Sequence, residues 1–154
     1  MTGPSRGLEP EALRRLLAAD ELVLGSVRAR LPRPGTSTNT FGSVWAFILV
    51  ADRAMLSRRV ETMVDGMRAA GFPFASRMIL VATSERLLVL EAVGRAWSPG
   101  QEVGEVARRD VVSFTLPYLG EPPWKVARLD LASGARAHLL IERDGAEGFV
   151  AHFA

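Results

Sequence analysis

The sequence predicts an α+β domain that is mainly β. It has about seven antiparallel strands, an N-terminal helix, a long helical insertion between strands one and two, and a closing C-terminal helix. Three observations lead there. From about residue 76 the apolar residues recur with period two, or in short runs, instead of at helical spacing. Those runs are separated by turn-forming clusters at 83–86, 94–101, 120–123 and 133–134. The length of 154 residues, with 48% hydrophobic and 23% charged residues, suits one domain able to bury its own core.

Residues 1–8 read as a loose tail, and the single domain runs from 9 to 154. Residues 9–19 read as a short helix: Pro10 and Glu11 suit its first turn, and Leu13, Leu16 and Leu17 fall on one face. In residues 21–31, Val27, Ala29 and Leu31 alternate with Arg28 and Arg30, the pattern of a half-buried strand. Residues 32–43 are a loop rich in Pro, Gly, Ser and Thr. Residues 44–70 form the helical insertion, with Trp45, Leu49, Leu56, Val60, Met63, Val64 and Met67 along one side. Gly71 and Pro73 end it. Its first part, Val44 to Ala51, is apolar all round and is equally readable as a strand. Next come a hairpin over 76–93, a loop over 94–101, and short strands at 102–107 and 111–119. Strands at 124–131 and 135–142 flank a tight turn at Ser133-Gly134. Residues 144–154 form the closing helix, with Phe149, Val150 and Phe153 on one face.

Composition removes several function classes. The net charge is +2, and 18 of the 19 basic residues are Arg, so the high isoelectric point reflects few groups titrating between pH 7 and 10. That small excess does not make the dense basic face of a nucleic-acid binder, and no nucleic-acid partner is expected. The absence of cysteine excludes a disulfide framework, a thiolate nucleophile and a Cys zinc site. Met1 to Pro10 lacks the apolar core of a secretory signal. The longest strictly apolar run, Val44 to Ala51, is far short of the roughly 18 residues of a spanning helix. A cytoplasmic protein, at most peripheral to a membrane, is expected.

The second half of the chain resembles the bacterial pleckstrin-homology-like (PH-like) domains, including the GRAM-related group. The residues that carry the resemblance are MILVATSERLLVLEA (78–92), EVARRDVVSF (105–114), WKVARLDL (124–131) and HLLIERDGAEGFVAHF (138–153). Within them, Thr83 matches the Thr turn ending a strand, and Arg86 the Arg opening the next. Asp110-Val111-Val112-Ser113 is similar to the acidic, apolar, apolar, Ser pattern of a later strand. The resemblance implies a bent antiparallel barrel of seven strands plugged by the C-terminal helix. Residues 32–75 would be an enlarged version of a connection that is short in the family.

No catalytic, cofactor or metal constellation is expected. His138 lies in a strand pattern and His152 on the final helix, without a third ligand at a recognisable spacing. Ser84 sits in a hairpin turn, where Ser serves the backbone. Glu102 and Glu105, three apart in a strand, are expected on opposite faces.

The function that follows is non-catalytic: a protein-interaction module, including self-association, acting through the insertion. Trp45, Phe47, Ile48 and Met55 would be its apolar anchors, with Arg58 and Arg59 at the polar rim. The alternative is an anionic lipid surface met by Arg28, Arg30, Arg33 and Arg58. Some PH domains hold phosphoinositides with paired basic residues on strands one and two. Here strand two offers only Arg77, and Arg28 and Arg30 also suit the solvent face of an edge strand. A third class is a carrier of a small apolar ligand lined by Met55, Met63 and Met67. Tyr118 and Trp124 flank a proline-rich loop that would present an aromatic surface.

Overall fold

The computed structural model of the chain describes residues 15–31, 61–62, 64–116 and 124–154. The alternating and short apolar runs become seven strands: β1 (Val23–Arg30), β2 (Arg77–Thr83), β3 (Arg86–Val93), β4 (Ser98–Ala107), β5 (Val111–Thr115), β6 (Trp124–Leu131) and β7 (Arg136–Glu142). They form one antiparallel sheet in the order β4-β3-β2-β1-β7-β6-β5; the outer strands β4 and β5 do not pair with each other, so the sheet is not closed into the expected barrel. A 3-10 turn over Arg108–Asp110 links them, and α1 (Ala146–Ala151) follows β7.

The bend in this sheet is visible in its register. β1 pairs with β2 from Val23 to Arg30, but with β7 only at Ala29–Ile141 and Arg30–Leu140. The two halves therefore meet at a narrow seam and diverge on either side. Inward residues of both halves share one core: Val27, Ala29, Met78, Leu80, Leu87, Val89, Ala127, Leu129, Leu139 and Ile141 are all buried there. Each large side chain among them contributes roughly 1.5–3 kcal/mol on leaving water.

Two segments cover the core where the halves part. On one side α1 lies against the stretch of β1 that has left β7, with the His152 ring next to Gly25 and Gly145 beside Val27. Its Phe149 meets Phe114 of β5 edge-on at 5.9 Å, and Phe153 meets Phe114 at 5.6 Å. Arg108 holds the helix end by donating to the His152 and Thr83 carbonyl oxygens, its guanidinium over the Phe153 ring. On the other side Met67 places its sulfur 3.3 Å from the His138 backbone nitrogen, on the part of β7 that runs past β1. Pro73 enters the concave face at β4: a Cβ on Gly104, whose partner Val89 points inward, would lie 2.4 Å from Pro73 Cβ.

Several expectations are met and several corrected. The insertion ends as predicted: residues 61–62 and 64–69 are helical, Gly71 takes φ 85°, and Phe72 N–H donates to the Met67 carbonyl. A long helix is not seen among the described residues, since 44–60 and 63 lie outside them. Of the N-terminal helix only residues 15–16 are helical among those described, and the chain then turns into β1. The predicted loop over 94–101 is shorter, because β4 begins at Ser98. An edge strand tolerates Pro99 and Gly100, and of the two register shifts along β4 one falls beside them, between the partners of Leu90 and Ala92. β1 is an interior strand, not an edge, because β7 returns to pair with it.

Candidate functional site: an arginine–tryptophan face at the seam

Arg28 and Arg30 alternate with the buried Val27 and Ala29, so they point to the outer face of β1. Arg30 is directly opposite Arg77, the first residue of β2, and like charges facing each other across a sheet repel. Each guanidinium lies against an indole ring of its own. The Arg77 guanidinium lies 4.5 Å from the centroid of Trp97, and the Arg30 guanidinium 4.9 Å from Trp124. The two rings lie 5.7 Å apart, tilted by 41°. Arg28 also approaches Trp97, at 5.8 Å. Each such contact is worth about 0.5–1 kcal/mol when exposed and more when shielded.

The local backbone builds this arrangement. The turn between β3 and β4 puts Trp97 at φ 55°, a conformation that costs a bulky residue energy. That turn is tied down by the arginines: Arg77 donates to the Gly94 carbonyl at 2.7 Å and Arg28 to the Ala96 carbonyl at 3.5 Å. Trp124 arrives from the other half of the sheet as the first residue of β6. Three guanidiniums thus share one half-buried surface. Neither Arg28 nor Arg77 has a carboxylate in an ion pair among the described residues. Such a face attracts anions, and guanidinium N–H edges match phosphate or carboxylate oxygens.

A second polar centre sits at the other end of β2. Thr83 donates to Glu21 at 2.5 Å and accepts the Glu85 and Arg86 backbone N–H groups. Arg86 Nε lies 2.9 Å from Glu21, and its Nη1 meets both Glu102, at 3.4 Å, and Glu105. Burial pushes the Glu21 carboxyl upward, but hydrogen bonds from Arg86, Thr83 and the Ala18 N–H, with the Arg86 charge, outweigh it and the net direction is down. Glu102 and Glu105 converge on Arg86, contrary to expectation. The register shift between Val89 and Leu90 inserts Val103 as an extra residue, so residues three apart share a face. Ser84 serves the backbone as predicted, accepting the Leu22 N–H at 3.0 Å.

The sequence-predicted sites fare unevenly. Arg28 and Arg30 come together as expected. Arg77 completes the group, and Trp97 and Trp124 hold it. The sequence places Trp124 on an aromatic surface beside a proline-rich loop, but the arginine contacts of the two indoles span 20 to 94 residues of chain and leave no local signal. Arg33 and Arg58 of the lipid set lie outside the described residues. So do Trp45, Phe47, Ile48, Met55, Arg58 and Arg59 of the interface set, together with Met63 and Tyr118. Met67 is packed into the core at 3% exposure. His138 is half-buried, and burial, then Arg136 and Arg128, pull its imidazole below the ordinary 6.5. Among the described residues no group of three or more His, Asp or Glu is placed to hold a metal, and no helix is long and apolar enough to cross a membrane.

No protein-family model, curated protein or solved structure matches the chain.

Proposed function

We propose that the chain is a non-catalytic, PH-like binding module that docks on anionic lipid headgroups through Arg28, Arg30 and Arg77, with Trp97 and Trp124 as the supporting platform. The PH-like reading is supported by the strand order β4-β3-β2-β1-β7-β6-β5, with its bend at the β1–β7 seam, and by a helix after the last strand that covers the core. The observation that carries the binding role is the concentration of three guanidiniums on two indole faces, with Arg28 and Arg77 lacking a carboxylate partner among the described residues. Holding like charges together costs free energy that a bound anion returns. Tryptophan also suits the membrane interface, where one edge is apolar and the other wet.

Vesicle flotation tests this. The protein should float with vesicles containing phosphatidylserine and remain behind with pure phosphatidylcholine, and the bound fraction should fall between low and physiological salt. Equal binding to both vesicles, or none to either, refutes it. A second reading rests on the apolar run Val44 to Ala51: self-association through Trp45, Phe47, Ile48 and Met55, rimmed by Arg58 and Arg59. Under it the protein is a dimer or larger in light scattering and Phe47→Asp makes it monomeric. A wild type that is monomeric at high concentration removes that reading.

A further inference from the structure

We infer that residues 15–22 form a strap latched over the outer face of β2 and β3, built to open as a unit while the sheet stays folded. The face beneath it is apolar. Ile79, Val81, Leu88, Leu90 and Ala92 point away from the main core yet form a second buried cluster, against which Leu16 and Leu17 pack. Strands buried on both faces are unusual in an antiparallel sheet, where one face is commonly left to water.

The attachment is concentrated at the β2–β3 turn, on Thr83, Ser84 and Arg86. Arg86 binds the strap twice, through the Glu21 carboxylate and the Leu16 carbonyl oxygen, and Thr83 adds its hydroxyl to Glu21. Leu22 exchanges hydrogen bonds with Ser84, its N–H to Oγ and its carbonyl from the backbone N–H. A cleft of about 590 Å³ remains, lined by strap residues from Leu16 to Glu21 and by Glu85, Arg86 and Glu105.

The charge arrangement makes opening inexpensive. Removing one partner of a buried pair normally strands the other charge in a poor solvent. Here Arg86 keeps Glu102 and Glu105 on β4 when Glu21 leaves, and Glu21 passes into water. Arg86 thus keeps two carboxylates at Nη1 in either arrangement, while Nε and Nη2 exchange Glu21 and the Leu16 carbonyl for water, which permits two discrete states in place of one rigid contact. Thr83 also reports to the opposite side of the molecule, since its carbonyl accepts Arg108, which holds the end of α1.

The chain has no cysteine, so a single introduced thiol reads opening cleanly. Val81→Cys reports on the face under the strap, and Ala127→Cys on the main core; both positions are fully buried. Each is made with and without Glu21→Gln and treated with a thiol reagent. Losing a charge-assisted hydrogen bond at the latch should speed labelling at Val81→Cys by about tenfold or more, with a much smaller change at Ala127→Cys. Equal acceleration at both positions, or none at Val81→Cys, overturns the strap. Should Glu21→Gln prevent folding, the same two thiols in the otherwise wild-type chain decide the matter. Labelling at Val81→Cys should be insensitive to low urea, because the opening exposes little surface, whereas labelling at Ala127→Cys should rise steeply. Parallel urea dependence at the two overturns the inference.

Discussion

Two glycines, each replaced by alanine, should move stability in opposite directions. Gly148 is on the exposed side of α1, and a Cβ there meets nothing within 4 Å. Alanine restricts the unfolded chain and has the better helix propensity, so Gly148→Ala should stabilise by about 0.5–1 kcal/mol. Gly104 lies in β4, where alanine offers a similar gain of about 0.5–1 kcal/mol over glycine. Its Cβ, however, would sit 2.4 Å from Pro73 Cβ and 3.1 Å from Pro73 Cγ, far inside van der Waals contact. A proline ring cannot swing aside by rotating about χ1, so the segment carrying Phe72 and Phe74, whose rings stack at 5.4 Å, has to move off the concave face. Overpacking of that kind costs about 1–3 kcal/mol. The clash wins, and Gly104→Ala should destabilise by about 0.5–2 kcal/mol. Urea unfolding of both variants, with unchanged slopes, gives the comparison. Melting temperatures should separate the two variants by several degrees, at about 2–4 °C per kcal/mol for a chain of this size. If Gly104→Ala is stabilised as much as Gly148→Ala, residues 72–74 do not lie against β4 and the account of how the core is covered on that side fails.

Other expectations follow from the same contacts. Phe149 is 3% exposed and touches Phe114 and Phe153, so Phe149→Ala should cost about 3–5 kcal/mol in urea unfolding; a loss below about 1 kcal/mol means that α1 does not seal the core. Stability should fall as the solution is acidified. The neutral form of His138 is favoured in the fold, so its contribution is complete above 6.5 and declines below that value. Glu21 and Asp130 are both lowered, Asp130 chiefly by its hydrogen bond from Arg136, so their contributions are present above the ordinary carboxylate range, begin to fall within it and are lost below it. Thermal melts at pH 7, 5.5 and 4 check the trend, and a melting temperature that rises on acidification contradicts it.

Much of the β architecture is legible in the sequence because the signals are local. Alternation at Val27, Ala29 and Leu31 marks the inward face of β1. Ser133-Gly134 marks the β6–β7 turn, where Gly134 takes φ 92°. Gly71 before Pro73 marks a helix end. The long apolar runs of β2 and β3 also carried an unused message. MILVA and LLVL do not alternate, and the physical reason is that both faces of these strands are covered. What stayed hidden depends on long-range placement. Glu21 looks like a surface acid until Arg86, 65 residues on, is brought to it. Glu102 and Glu105 seem divergent until a bulge is counted between them. Arg77 looks like one lone basic residue until the seam brings Arg30, Trp97 and Trp124 around it.

The most direct test of the binding account compares wild type with the Arg28→Gln/Arg77→Gln double variant on phosphatidylserine-containing vesicles across a salt series. Each arginine near an anionic surface contributes about 1 kcal/mol, so the double variant should bind about 30-fold more weakly at low salt, and its affinity should fall less steeply as salt rises. Unchanged affinity and salt dependence in a variant whose melting temperature matches wild type would show that the arginine–tryptophan face is not where this protein meets its ligand.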